Sequence, residues 1–298
     1  ENERRLRQLH EMMGDLGFGW DKGAAWRGGV VDAIDPSMQG RISEWRKSGL
    51  NIMMSEKSEA KPVSFLEDCA VELKDLAEYT DKLTAIFDRN GVKGTWYAHA
   101  SVGCLHVRPV LNMKQVGGAE TMRAIAEEAF ELVRSFGGSH SGEHGDGIVR
   151  SEFNDRMFGP VLPDLFRQVK AMFDSQGMFN PGKITDAPKM DERELFRFAP
   201  GYEAEDFDSV LDWAAWPGAA GGFQGAVEMC NNNGACRKLT GGVMCPSYRA
   251  TRNERDVVRG RANSLRLAMS GQLGPDAMAS DAMAETMKLC VSLSLTHI

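Results

Sequence analysis

Several signatures are missing from this chain, and each absence closes a class. No G-x-G-x-x-G follows a strand candidate and no G-x-x-x-x-G-K-[S/T] occurs, so a doubly wound nucleotide-binding fold is not expected. H-E-x-x-H is absent, which removes the commonest zinc-hydrolase helix. No apolar run approaches the roughly 20 residues of a membrane-spanning helix, and no secretory signal opens the chain. Positive charge is in deficit: the net charge is −7, which argues against a general nucleic-acid binder. The basic run Arg249, Arg252, Arg255, Arg259, Arg261 and Arg266 has no stacking aromatics between its members and is diluted by Glu254 and Asp256. It reads as a solvated helix near an anionic cluster or partner.

Cysteine is sparse and uneven. The six are Cys69, Cys104, Cys230, Cys236, Cys245 and Cys290, too few for a disulfide framework in a chain of this length. Three of them fall between positions 230 and 245, which points to cluster or metal ligation in a reducing compartment; the cytoplasm is expected.

What is present is ordinary in bulk. With 298 residues, 42% hydrophobic and 26% charged, the chain can build one large domain or two. It opens at Glu1, already inside a helical pattern and without Met, and so reads as a fragment. Helical spacing marks Glu1–Leu16, Ile42–Leu50, Asp75–Asn90, Ala119–Phe136 and Leu162–Gln176. Val63–Val71 is a strand candidate led in by Lys61-Pro62, where a lysine beside a strand end is ordinarily solvated. Strands and helices alternate without a regular β-α repeat, so the fold class is α+β, an antiparallel sheet with helices packed on it. Three parts are expected: residues 1–190, a linker over 191–225 rich in Asp, Trp and Gly, and residues 226–298.

The stretch from Gly94 to Arg150 holds four of the six histidines, His99, His106, His140 and His144. Residues 95–100 and 104–111 read as strands of a hairpin around Val102-Gly103, with a four-residue loop favoured because Val tolerates positive φ poorly. The expected register sets His99 opposite His106 and Tyr97 opposite Arg108 on one face, with Trp96, Ala98, Leu105 and Val107 on the other. Directly opposed side chains have Cβ atoms about 4.5–5.5 Å apart, close enough for two imidazoles to share a cation. If Gly142–Gly147 is extended, Glu143 completes a His2Glu site for Zn, Mn or Fe while His144 faces elsewhere as an acid–base group. The competing reading is two surface histidines in a hairpin beside a polar glycine-rich loop.

The motifs EWRKSGLN, AKPVSFLEDCAV, YAHASVGCLHVRP, GEHGDG, FNPGKI and CNNNGACRK, followed by GGVMCPSYRATRNE and RGRANSLRLA, run in one order along nearly the whole chain. In that order they resemble the back half of bacterial FAD-and-iron–sulfur D-2-hydroxy-acid dehydrogenases, above all the large D-2-hydroxyglutarate dehydrogenases. The resemblance implies an FAD-linked oxidase C-terminal domain with a ferredoxin-like cap, then a mainly helical ferredoxin-like iron–sulfur segment. It implies that His99, His106 and Glu143 hold a divalent metal and that His144 takes the substrate hydroxyl proton. Arg46 and Lys61 match carboxylate-binding positions, and Asn180 and Lys183 match a segment near the flavin. Two positions depart from the family. Ser101-Val102-Gly103-Cys104 stands where Gly-Asp-Gly-Asn is common, and Arg108, also read as substrate-binding, stands where Asn is frequent.

The resemblance also implies a flavin domain preceding this portion and a 4Fe-4S cluster in the full-length protein. Cys230, Cys236, Cys245 and Cys290 fit that cluster only in part, since Asn233 occupies a ligand position of the ferredoxin pattern. The implied reaction is oxidation of a D-2-hydroxy acid, best read as D-2-hydroxyglutarate, with D-lactate or glycolate as alternatives. Electrons would pass to iron–sulfur, a quinone or an electron-transfer protein. Residence is cytoplasmic, with a peripheral place at the inner membrane and a homo-oligomer both compatible. A metal-dependent hydrolase and a non-catalytic electron-transfer piece are the readings from other classes.

Overall fold

The computed structural model describes residues 1–19, 29–241 and 245–292. It forms two compact units, Glu1–Ile52 and Met53–Ile298. In the first, α1 (Asn2–Met13) buries none of its residues, and α2 (Pro36–Met54) begins at an Asp-Pro step. Asp35 caps α2 by accepting the Met38 N–H at 2.8 Å, and Pro36 at the first helical position sacrifices only an N–H that had no helical partner.

The second unit carries the sheet. Its strands are β1 (Lys61–Pro62), β2 (Leu66–Ala70), β3 (Gly94–His99) and β4 (Cys104–Leu111), all antiparallel. β4 is the hub and pairs with the other three. Two long amphipathic helices, α3 (Leu76–Arg89) and α4 (Val116–Ser135), lie where helical spacing predicts them. Tyr79, Leu83 and Phe87 of α3 and Ile125, Ala129 and Val133 of α4 join Leu66, Cys69, Leu105 and Val107 of the sheet in one core. Full burial of each large apolar side chain contributes about 1.5–3 kcal/mol, which fixes this face of the sheet inward. The opposite face is left to Tyr97, His99, His106 and Arg108. An antiparallel sheet backed by helices is the α+β architecture expected.

The hairpin register differs from the expected one. Tyr97 pairs with His106, His99 with Cys104 and Thr95 with Arg108, a slip of two residues. The slip preserves the facing of every side chain, because the strand period is two. Its cause is the loop: Ala100–Val102 form a helical turn and Gly103 closes it at φ +70°. A Cβ at Gly103 would lie 2.0 Å from the Val71 carbonyl oxygen. His99 and His106 are therefore diagonal neighbours, with ring centroids 5.0 Å apart.

After α4 the chain runs through the glycine-rich loop to α5 (Asn154–Phe158) and α6 (Val161–Phe173). The remainder holds short helices: α7 (Phe223–Glu228), α8 (Pro246–Thr251), α9 (Val258–Met269) and α10 (Asp281–Met287). In the expected linker, Trp213 packs on Trp216 and Phe223, and Lys57 sits over the Trp216 ring at 4.4 Å. The basic run is not a solvated helix throughout. Arg261 and Arg266 are buried and donate to the carbonyls of Thr286 and Arg197, so they tie the tail's elements together.

Candidate active site

Four elements deliver the site: β2, the β3–β4 hairpin and the loop over residues 140–150. His106 is buried on β4, while His99 near the hairpin turn and Glu143 in the loop are each about half exposed. Glu143 Oε1 lies 3.1 Å from His106 Nε2 and 3.5 Å from His99 Nε2. Two ligands each about 2.0–2.2 Å from one tetrahedral ion stand roughly 3.4 Å apart, which the two separations from Glu143 match; the group whose ligand atoms all lie within 4.8 Å of one another is Asp68, His106, Glu143 and His144, without His99. The donor set, two imidazoles and a carboxylate, suits Zn, Mn or Fe.

The surrounding charge favours a cation as well. The Cys104 thiol is pushed up to about 12 by burial first and then by Glu143 and Asp68. Burial and the neighbouring His144 hold the His106 imidazole below its ordinary range, against the pull of Glu143 and Glu67. A neutral imidazole is the form that ligates. Among the described residues the buried His106 Nδ1 has no hydrogen-bond partner, so its Nε2 edge, toward Glu143, is where the ring meets polar company.

The loop is not extended, which corrects the expected division between its two functional side chains. Glu143 and His144 do not point to opposite sides. Their polar atoms gather with those of His106 and Asp68 so that all lie within 4.8 Å of one another. The His144 ring stacks on His106 at 4.7 Å between centroids. Asp68, wholly buried, is responsible: its carboxylate accepts the Glu143 N–H at 2.9 and 3.0 Å and the His144 N–H at 2.7 Å. The Gly142 N–H adds a bond to the Asp68 carbonyl at 2.8 Å.

Asp68 was not among the sequence candidates. It sits in a β-bulge: Glu67 pairs with His106 and Cys69 with Leu105, leaving Asp68 as the extra residue at φ +106°. In a regular strand, consecutive residues face opposite sides. The bulge suspends that rule, so Glu67 and Asp68 both reach the His144 side while Leu66 and Cys69 stay in the core. The available signal was two adjacent acids inside the apolar run Val63–Val71.

The other sequence candidates fall in several places. Arg108 is engaged by Glu67, whose Oε2 accepts from Nε at 2.7 Å and lies 2.6 Å from Nη2. Lys61 is not simply solvated. Burial lowers its pKa, it donates to the Glu56 carbonyl, and it lines a cavity of about 370 Å³ with Lys57 and Lys114. That cavity shares Ser64, Phe65 and Val149 with a cleft of about 300 Å³ lined by Glu67 and His144. Asn180 and Lys183 are exposed and hydrogen-bonded to each other at 3.2 Å. Their segment is tied to the glycine-rich loop where the Ile184 N–H meets the Gly147 carbonyl at 3.1 Å. Arg46 lies on α2, in the first unit.

Of the tail cysteines, Cys236 and Cys245 are buried, Cys230 is intermediate and Cys290 exposed, all as free thiols. Cys236 and Cys245 share a small core with Val257. Among the described residues they do not converge on a ligand group of the kind formed around His106.

Two imidazoles and a carboxylate thus meet on a helix-backed antiparallel sheet, with His144 of the glycine-rich loop stacked beside them. The chain belongs to the family of FAD linked oxidases, C-terminal domain, which matches residues 1–184. More particularly, it is similar to the D-2-hydroxyglutarate dehydrogenase of Pseudomonas putida, 34% identical over 244 residues, covering 80% of this chain and 23% of that protein. It is also similar to the D-2-hydroxyglutarate dehydrogenase of Haemophilus influenzae, 33% identical over 232 residues, 78% of this chain and 22% of that protein. A D-lactate dehydrogenase of Archaeoglobus fulgidus is 30% identical over 132 residues, 44% of this chain and 29% of that protein. The chain thus spans less than a quarter of the length of the two D-2-hydroxyglutarate dehydrogenases. Among the described residues no helix is long and apolar enough to cross a membrane.

Proposed function

We propose that this chain is the substrate-holding part of an FAD-dependent dehydrogenase that oxidises a D-2-hydroxy acid, D-2-hydroxyglutarate by preference, to its 2-oxo acid. The observation that carries this reading is the convergence of His99 Nε2 and His106 Nε2 on Glu143 Oε1, with His144 stacked alongside. His99, His106 and Glu143 would hold a divalent ion, Zn, Mn or Fe, and through it the substrate's α-carboxylate and hydroxyl. When bound, the ion supplies Lewis acidity toward the hydroxyl and FAD supplies the hydride acceptor. His144 takes the hydroxyl proton. Lys61 offers a carboxylate oxygen a point charge and so helps fix which way the C2 hydrogen points; Arg46 is a carboxylate-binding candidate by its match to the family alone, and Arg suits paired oxygens.

Lys61 also bears on the choice of substrate. It lines a cavity in which Lys114 is already paired with Glu59 and Glu228, and this cavity shares a wall with the His144 cleft, so Lys61 is the charge placed there for a second, distal carboxylate. D-lactate and glycolate carry none. For the flavin, the described residues offer an edge rather than a cradle: Asn180 and Lys183, exposed on a segment tied to the glycine-rich loop. The bulk of its site would then lie outside these 298 residues.

Residues 1–190 are assigned to substrate and metal, 191–225 to a linker and 226–298 to a helical iron–sulfur segment. In that segment Cys230, Cys236, Cys245 and Cys290 form an incomplete ligand set for a 4Fe-4S cluster. The final acceptor would be a quinone or an electron-transfer protein.

The test joins this chain to a flavin-bearing portion and follows flavin absorbance after adding D-2-hydroxyglutarate, D-lactate or glycolate. Bleaching first and fastest with D-2-hydroxyglutarate is expected. Bleaching by the monocarboxylates alone would reassign the substrate. Ester or peptide cleavage without flavin would favour a hydrolase, and no reaction with any substrate a non-catalytic role.

A further inference from the structure

Glu67 is held in an unusual way for a residue at the edge of a cleft. Arg108, two residues beyond His106 on β4, brings both Nε and Nη2 to the same carboxylate oxygen, Oε2, at 2.7 and 2.6 Å. Both partners are largely buried, with side-chain exposures of 14% and 19%. The second oxygen, Oε1, is left turned to His144, 3.7 Å from its Nδ1. Asp68 Oδ1 stands 3.8 Å from the same nitrogen, but its carboxylate is already committed to the backbone N–H groups of Glu143 and His144.

From this geometry we infer that Glu67, clamped by Arg108, is the positioning residue that sets the tautomer of His144. A ring nitrogen flanked by two carboxylates keeps its hydrogen, because the N–H dipole points at negative charge while a lone pair there would be repelled. His144 is therefore the Nδ1–H tautomer, and Nε2 carries the lone pair. That makes Nε2 the atom able to accept a substrate hydroxyl proton. The 3.7 Å separation is longer than a hydrogen bond, as catalytic contacts often are before substrate closes the site. The logic is that of any histidine base oriented by a carboxylate behind it, here with an arginine fixing the carboxylate in turn.

Position also explains why this pair sits where it does. The bulge at Asp68 keeps Glu67 opposite His106, and Arg108 follows on the same face. Arg108 thus acts on the substrate from behind, through Glu67 and His144, rather than as a free cation for a carboxylate. This inference rests on the proposed role of His144 but is read by a different measurement.

The test is ring-¹⁵N NMR of this chain with labelled histidine, at a pH where His144 is neutral, its signals assigned by their loss in His144→Gln. The wild type is expected to show a protonated Nδ1 and an unprotonated Nε2. Glu67→Gln should shift His144 to a mixture of tautomers, Glu67→Asp should restore Nδ1–H, and Arg108→Gln should shift it part of the way. Arg108→Gln retains the carboxylate and gives the same readout if Glu67→Gln fails to fold. A wild-type His144 protonated on Nε2, or a tautomer indifferent to both substitutions, would overturn the inference. In the flavin-loaded full-length enzyme, Glu67→Gln should lower kcat by about 10–100-fold, the usual cost of losing an orienting partner, with little change in KM. If the tautomer is as expected while the enzyme oxidises no hydroxy acid, the functional reading falls and this one stands.

Discussion

Asp68 Oδ2 accepts the backbone N–H of His144 at 2.7 Å from a residue whose own φ is +106°. A non-glycine residue in that region is strained by about 1–3 kcal/mol and persists only when its surroundings hold it there. Here the same carboxylate also accepts the Glu143 N–H, so one buried side chain anchors both ends of the candidate chemistry. Asp68→Ala removes both acceptors. We expect a stability loss of about 3 kcal/mol or more, since each bond to a charged acceptor contributes roughly 1.5–3 kcal/mol and alanine, which keeps the Cβ, relieves none of the strain. Asp68→Asn, which keeps one oxygen acceptor, should cost less. Urea unfolding of the two variants reads the difference, and equal losses would mean that the carboxylate does not anchor the loop.

Divalent metal gives a second check on the same geometry. This chain should bind Mn²⁺ or Zn²⁺ in calorimetric titration, and a chelator should reverse it. His106→Ala should weaken binding by more than the roughly 10–100-fold that loss of an outer-shell partner costs, because a ligand atom itself is gone. Asp68→Ala should weaken it by an amount within that range. The ranking distinguishes ligand from anchor: if Asp68→Ala is the more damaging, the buried carboxylate is itself a ligand.

Much of this was readable from residue order, for identifiable reasons. α3 and α4 repeat apolar residues at helical spacing over 14 and 20 residues, so their existence and inward faces were plain. The hairpin's inner and outer faces were also plain, because alternation survives an error of two in register. The register itself depended on whether Gly103 ends the loop, and that is decided by its approach to the Val71 carbonyl, a contact distant in sequence. Asp68 was hidden for a related reason. A bulge leaves no mark in a hydrophobic pattern, and strict alternation would have turned one of Glu67 and Asp68 away from the site. Arg261 and Arg266 read as surface charge until carbonyls from elsewhere in the chain were seen to receive them.

Lys114 gives a prediction about the tail. Its ammonium lies 3.0 Å from Glu59 and 2.5 Å from Glu228 on α7, with little exposure of either Lys114 or Glu228. Glu228 also accepts the Tyr202 hydroxyl at 2.5 Å and Gln224 Nε2 at 3.2 Å. Lys114→Met would leave a buried carboxylate without its counter-charge, a change that costs about 3–5 kcal/mol where the pair is fully enclosed. We expect about 3 kcal/mol here, together with faster proteolysis between residues 195 and 225. Adding Glu228→Gln should recover more than half of the loss. A double variant no more stable than Lys114→Met would show that packing of the lysine stem, not its charge, holds α7.

His140 supplies a pH dependence separable from the metal site. It is fully buried among Phe130 and Phe158, with the Arg150 backbone and the Asn154 side chain as its nearby polar company. Burial lowers its pKa, with Arg150 acting in the same direction and Asp146, 3.6 Å away, acting against it. The sign follows from proton counting. Above the ordinary imidazole value of about 6.5 the ring is neutral in both states and contributes no slope. Below it the unfolded chain takes up a proton that the folded chain refuses, so stability falls as pH drops, by at most about 1.4 kcal/mol per unit until the folded value is reached. His140→Phe cannot titrate and fits the aromatic surroundings. Urea unfolding between pH 7.5 and 5.5 should therefore show a shallower loss of stability in His140→Phe than in the wild type. Parallel curves for the two proteins would mean that Asp146 compensates burial fully and that His140 is protonated in place.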